Sequence, residues 1–413
     1  MKYDVIIAGG GTAGCAAAYT AGKLGLKTLL VEKKIYLGGA ITSGLVIPAM
    51  KAGENQINTE FFEALTAELH SLGGQVTYQG NPGWFNPELA KAALDSLILK
   101  AGVEVLWGAK IANININNRL IESVKILSVY SDTISIMLSK PVATRYVIDA
   151  TGNCDVGKLC QCEFLDKPDE RQPVSLRFMM GGVDVETFGK WLLDFDPDRN
   201  VTTVEFPHLS TAYTWDVLAR GAGEWALKPL FDDAVGKNIL KDHDRNYFQV
   251  FTVAGMPGTI AFNCPRLLDC NIAEGRQSIL RLTNFCKEYF PGFENAFISN
   301  IADELGVRVS KRIKGKYVYT IDDLKSGKKF ENPVVIANYP VDVHSSERDK
   351  STLQHVSDYQ LPIESLMSAD IDNLFVAGRC LSADFKAQGA LRVQPSCFAM
   401  GEGVAKYIVT ICK

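Results

Sequence analysis

The polarity pattern along this chain changes character several times. Val5-Ile6-Ile7-Ala8 is continuously apolar, which predicts a short strand buried on both faces. Three glycines, Gly9-Gly10-Gly11, follow at once, and the alanine-rich stretch from Ala13 to Leu24 predicts a helix packed closely on a sheet. A second apolar strand, Thr28 to Val31, ends on Glu32. Helical periodicity returns over Asn58–Leu72 and over Pro87–Lys100, the latter with Asn86 as its N-cap and Pro87 in its first turn. A strand is expected over Gly102–Trp107. From Lys110 to Lys140 the period falls to two, predicting antiparallel strands at Ile111–Ile116, Leu120–Tyr130 and Thr133–Leu138. A buried strand, Tyr146–Ala150, then turns at Thr151-Gly152-Asn153. Strands and helices mix from about Glu163 to Pro340, with helices expected over Asp184–Phe195, Ala273–Tyr289 and Phe293–Ala302. A last buried strand, Asn373–Gly378, precedes a helix from Pro395 to Ile411.

The pattern at the start carries chemistry. Gly9, Gly11 and Gly14 fit G-x-G-x-x-G, with Thr12 and Ala13 between them, directly after a strand and opening a helix. Glu32 ends the next strand at about the 20-residue spacing of a ribose-binding acid. Glycines let backbone approach a diphosphate, the helix N-terminus faces its charge, and the acid accepts hydrogen bonds from a ribose. A carboxylate at position 32 repels a 2′-phosphate, which excludes NADP and leaves NAD and FAD open. Lys33 follows the acid, and a second glycine pair leads through Gly39 to Ala40, where the chain again passes close to something.

Composition narrows the class. The 413 residues carry a formal net charge of −4 without long runs of either sign, so no basic stripe for nucleic acid is present. No apolar run reaches the ~18 residues of a membrane span. Met1-Lys2-Tyr3 leads directly into a core strand, so a cytoplasmic protein without a signal peptide is expected. The 10 cysteines are scattered with no CxxC pair, and they read as reduced thiols with no metal site.

Five separated motifs then resemble a known family. They are "DVIIAGGGTAGCAAA" with "LLVEKKIYLGGAITSGLV", "VIDATGNCDVG", "QPVSLRFMMGGVD", "RVSKRIKGKYVYTIDDL" with "YPVDVH", and "NLFVAGRCLSADFKAQGALRVQPSCFAMGEGVA". Together they resemble the FAD-dependent oxidoreductases of the glutathione-reductase-like superfamily, in the group related to fumarate reductase flavoproteins. The resemblance implies an α/β fold. A Rossmann-like FAD-binding domain with a parallel sheet and an antiparallel β-meander occupies residues 1–162 and returns at 346–413. A mixed α+β substrate domain fills 163–345.

The resemblance also implies FAD, with a second flavin-contacting turn at Thr151, Gly152 and Asp155, and a return strand ending at Gly378 and Arg379. Arg392, Val393 and Ser396 introduce a last helix whose N-terminus is expected to face the flavin and favour its reduced form. Many relatives place an acid after the return-strand glycine; here Arg379 stands there. No histidine lies between Glu32 and Gly44, so FAD is expected to be non-covalent.

The expected activity is hydride transfer between the flavin N5 and a small organic substrate bearing a carboxylate or carbonyl. An electron donor or acceptor remains to be identified, and a homo-oligomer stays open. The alternatives are an FAD monooxygenase or oxidase, or a flavin-bound protein that is non-catalytic or related to RNA modification. For catalysis, Arg308 and Arg312 share a face on either a helix or a strand, and paired guanidiniums suit a carboxylate; a salt-bridged surface is the plain alternative. His344, two residues after Asp342, is the expected acid/base group. Tyr317, Arg177 and Arg392 are lesser candidates.

Overall fold

The computed structural model describes residues 2–128, 140–195, 202–205, 208–214, 227–267, 269–344 and 352–412. The first apolar run forms the strand Lys2–Ala8, hydrogen-bonded in parallel to Thr28–Val31 on one side and Val142–Asp149 on the other. Ile6 faces Leu29 and Val147 in register, and none of the three is more than 1% exposed. Parallel neighbours need a crossover. The helix Thr12–Lys23 supplies it, and its alanines let it lie close on the sheet. Glu104–Leu106 extends the sheet beyond Thr28–Val31.

Val142–Asp149 is shared between two kinds of pairing. Its C-terminal half takes the return strand Leu374–Val376 in parallel, with Phe375 opposite Ile148. Its N-terminal end takes Leu120–Ser128 in antiparallel fashion, and that strand carries Ala109–Asn117. The alternating region is therefore a meander continuous with the parallel sheet. The strand expected at Thr133–Leu138 lies outside the described residues.

The last helix, Gln394–Cys412, packs along Thr12–Lys23. A Cβ on Gly401 would stand 2.0 Å from the Ala13 carbonyl oxygen, so only glycine permits this approach. Buried Glu402, next in the helix, accepts from the Phe61 amide at 2.9 Å and from Lys406 Nζ at 2.8 Å. A buried carboxylate with both partners present is stable; without them it would not be.

A second, antiparallel sheet runs in the order 202–205, 208–214, 247–252, 260–262, 178–181, 297–301. Its core gathers Phe178, Phe248, Phe262, Phe285 and Phe290 under the helix Ile272–Tyr289. The helix expected over Phe293–Ala302 is instead the strand Phe297–Ile301, paired with Phe178–Gly181. Pro291-Gly292 ends the preceding helix, with Gly292 at φ +90°, and β-branched Ile298 and Ile301 suit an edge strand. The buried residues from Ile313 to Val343 join the core of the first sheet. No helix among the described residues is long and apolar enough to cross a membrane.

Gly401→Ala is expected to destabilise the protein by about 2 kcal/mol, because overpacking against a backbone carbonyl outweighs the gain in helix propensity. The midpoint of urea unfolding reads this directly; an unchanged midpoint would show that the helices separate at no cost.

Candidate active site

The opening turn is bare for a structural reason. Gly9 sits at φ +92°, where a Cβ would lie 2.8 Å from the Ala150 oxygen, and a Cβ on Gly14 would lie 1.8 Å from the Gly9 oxygen. Gly11 is the N-cap of the helix Thr12–Lys23 and offers no side-chain acceptor, and no acid occupies the first turn. The helix therefore presents unpaired N–H groups and a positive dipole end to whatever lies in front of it. Gly39 closes the other side: a Cβ there would meet the Gly11 Cα at 2.9 Å. Ala40 follows in the same short turn. This cradle fits a diphosphate.

Glu32 ends its strand only 6% exposed, accepting from the Gly10 amide at 2.6 Å and the Lys34 amide at 2.8 Å. Burial raises its pKa, and these two backbone bonds oppose the rise. Each oxygen keeps a lone pair for a ribose hydroxyl. Lys33 pairs with Glu304 at 2.6 Å and so ties this strand end to a loop beside the cavity.

The second turn is organised by Asp149, which is fully buried. It accepts from Thr151 N and Oγ1, Val156 N and Gly157 N at 2.7–3.1 Å. Those bonds hold Thr151 and Gly152 in place. Arg379 lies over Gly152, donating Nε to its carbonyl at 3.3 Å and Nη1 to the Val307 carbonyl. Among the described residues it has no carboxylate partner, and burial lowers its pKa. A guanidinium held only by carbonyls beside two backbone turns fits an anionic cofactor group.

The N-terminus of the last helix reaches the same cavity through Val393 and Gln394. The Gln394 amide donates to Val46 O at 2.6 Å. Gln394 Oε1 and Ser396 Oγ are buried without a hydrogen-bond partner among the described residues. Orphaned polar atoms at a helix start again fit a polar cofactor.

The cavity measures about 460 Å³ and passes from these turns to the second sheet. There Arg177, Arg266, Arg308 and Arg392 meet Asp342 and His344. Arg392 Nη2 donates to the Asp342 carboxylate at 3.3 Å and to its carbonyl at 3.0 Å. His344 Nε2 lies 3.1 Å from the same carboxylate, and the His344 ring meets the Tyr247 ring edge-on, with centroids 6.1 Å apart. Burial would raise the Asp342 pKa, but His344, Arg392 and Arg266 more than offset it, and the carboxyl is held well below its usual range. Asp342 and His344 do point the same way from one extended segment, Val341–Val343 and its end.

Other expected residues are placed differently. Arg312 does not share a surface with Arg308: it is buried, paired with Glu170 and set over the Phe385 ring, away from the cavity. The segment between the two arginines is neither helix nor strand, so neither spacing rule applied. Asp155 is exposed and paired with Lys158 at 3.0 Å. Tyr317 bonds to Asp323 outside the cavity. Arg266 and Tyr247 went unnoticed in the sequence, although Arg266 stacks on the Tyr247 ring at 3.5 Å. No spacing links positions 247 and 266: Tyr247 opens a strand of the second sheet, whereas Arg266 lies on a two-residue strand paired with Val174–Ser175, and only the tertiary fold brings them together.

Fold and cavity together define a dinucleotide-binding α/β architecture. Residues 4–412 match the family described as FAD dependent oxidoreductase, and the chain belongs to that family. FAD is its cofactor. Over 156 residues the chain is 27% identical to the thiamine thiazole synthases of Saccharolobus islandicus and Sulfolobus acidocaldarius, covering 37% of this chain and 56% of theirs. It thus spans little more than half the length of those curated relatives. A geranylgeranyl bacteriochlorophyll reductase-like protein from Thermoplasma acidophilum is similar in structure, with a TM-score of 0.50 and 15% identity, over 100% of this chain and 79% of that one. The flavin-dependent brominase Bmp2 has a TM-score of 0.50 and 11% identity, over 100% of this chain and 79% of that one. At these identities both show a shared fold.

Arg379→Ala is expected to weaken FAD binding about ten-fold, the loss of one charge-assisted contact, measured by quenching of FAD fluorescence on the apoprotein. Unchanged affinity would remove Arg379 from the cofactor site. Asp342→Asn is expected to cost about 3 kcal/mol at pH 7, since it leaves Arg392 without its carboxylate. The folded pKa of Asp342 is depressed, so its stabilisation is full above the unfolded value and is lost as pH falls through the folded one. Wild type and variant should therefore converge in stability only in strong acid, which urea titrations at several pH values would reveal.

Proposed function

We propose that this FAD-dependent oxidoreductase exchanges a hydride with a small organic acid bound between the dinucleotide turns and the second sheet. The observation that carries this reading is the convergence of Arg177, Arg266, Arg308 and Arg392 with the Asp342–His344 pair on the cavity that also receives both helix N-termini. Bound FAD supplies hydride exchange at its N5 position.

The chain's own residues supply the rest. The arginines hold an anionic group of the substrate and fix its orientation. His344 moves a proton at the substrate, and Asp342 keeps the imidazole oriented and stabilises it when charged. Val46, Ile47 and Pro48 line the cavity and exclude water from one wall. Among the described residues the opening turn is the one complete glycine-rich dinucleotide motif, so the second half-reaction calls on an electron donor or acceptor from outside this chain.

The test is anaerobic, substrate-driven bleaching of the flavin. His344→Ala is expected to slow bleaching by about 100-fold or more while the protein stays yellow. Bleaching at the wild-type rate would end the assignment of His344.

A further inference from the structure

Cys160-Gln161-Cys162 plays no part in the chemistry of the cavity. It closes the short helix Asp155–Leu159 that follows the second turn. Gln161 N donates to Lys158 O and Cys162 N to Gly157 O, both at 3.0 Å, which is the pairing of a helix that ends on one left-handed residue. That residue is Gln161, at φ +57°. An extended middle residue would hold the flanking Cα atoms about 7 Å apart, near the outer limit for a disulfide, and the turn draws them closer. The Cys160 thiol is hydrogen-bonded to the Cys162 sulfur.

The two sulfurs differ in their surroundings. Cys162 is 5% exposed, and its Sγ lies 3.7 Å from Ser368 Oγ. That oxygen already accepts from the Asp370 and Ile371 amides, both at 3.1 Å. A hydroxyl has two lone pairs and one proton, so the proton is what remains for Cys162, and the sulfur is the acceptor. The Cys160 bond and the Ser368 hydroxyl together outweigh burial and hold the Cys162 thiol below its usual range. Cys160 is half-buried, so small solutes reach the pair from its side. By contrast, burial raises the thiols of Cys15, Cys154, Cys264, Cys286 and Cys397. Two thiols are half the donor set of a structural zinc site, and among the described residues no third ligand joins them.

We propose that Cys160 and Cys162 are a redox-active dithiol, which hydrogen peroxide converts to an intramolecular disulfide and a small dithiol restores. The Cys162 thiolate attacks one peroxide oxygen, the O–O bond breaks, and the departing hydroxide takes the Cys160 proton and leaves as water. The Cys160 thiolate then attacks the sulfenic sulfur of Cys162. The S–O bond breaks, and hydroxide leaves with a solvent proton as a second water. Two electrons pass from the sulfurs to the peroxide, and one S–S bond is made. Thiol–disulfide exchange with the small dithiol reverses the change.

The reduced holoenzyme, freed of added thiol, is mixed with hydrogen peroxide at pH 7, alkylated, digested with trypsin and weighed peptide by peptide. Cleavage isolates both cysteines on Leu159–Arg171 and the exposed Cys270 on Leu267–Arg276, which serves as the control for exposure alone. The first peptide should become lighter by two hydrogens, resist alkylation, and accept two alkyl groups after dithiothreitol. It should do so about ten-fold faster than Cys270 is lost. In Cys160→Ser, Cys162 should stop at a sulfenic acid that dimedone traps; in Cys162→Ser, Cys160 should react no faster than Cys270. Retained yellow colour reports that each variant has folded, and where one fails to fold the wild-type peptide decides alone. Oxidation of the pair no faster than Cys270, or its conversion to sulfinic or sulfonic acid without a disulfide, overturns the proposal. No substrate enters these measurements, so they stand or fall separately from hydride transfer and from His344.

Discussion

The contact between Ala13 and Gly401 sets the rest of the site. Helices from opposite ends of the chain cross where a side chain on Gly401 would collide with the Ala13 carbonyl, and their N-termini are thereby brought to one cavity. Each contributes unpaired N–H groups and a partial positive charge. The return strand Leu374–Val376, hydrogen-bonded to Val142–Asp149, brings Gly378 beside Ala13, where a Cβ on the glycine would lie 3.4 Å from the Ala13 Cβ. A nucleotide cofactor that touches distant parts of the sequence requires this closure.

From that arrangement follows a division of electrostatic labour. On the side proposed for the cofactor, backbone supplies most of the polar groups, with Arg379 as the added cation. Toward the second sheet, side chains do it, and they are overwhelmingly arginine. Among the described residues Asp342 is the carboxylate that balances them there, and it is already shared by Arg392 and His344. A cavity this positive is costly in the absence of an anion and favourable with one, which is the physical basis for reading it as a substrate site.

Much of the first sheet was legible because its rules are local. A strand buried on both faces reads as an unbroken apolar run, and a glycine turn at a helix start has few alternative explanations. Asn86 shows the same locality: it caps its helix by accepting from Glu88 and Leu89. The second sheet was harder. Phe293–Ala302 has enough apolar residues for a helix, yet pairing with Phe178–Gly181 makes part of it a strand. Arg308 and Arg312 illustrate the same limit. A spacing of four implies a shared face only on a regular element, and their segment is irregular, so one enters the cavity and the other pairs with Glu170.

What the sequence determined by itself was the end proposed for the cofactor: the glycines, Glu32, the turn after Ala150 and the return strand, each governed by backbone geometry within a few residues. The tertiary structure alone decided the composition of the proposed substrate end. Arg177, Arg266, Arg308, Tyr247 and the Asp342–His344 pair come from separate segments that meet only when the second sheet folds against the first. Their collective charge is a property of proximity, and proximity between distant segments is not written in any local pattern.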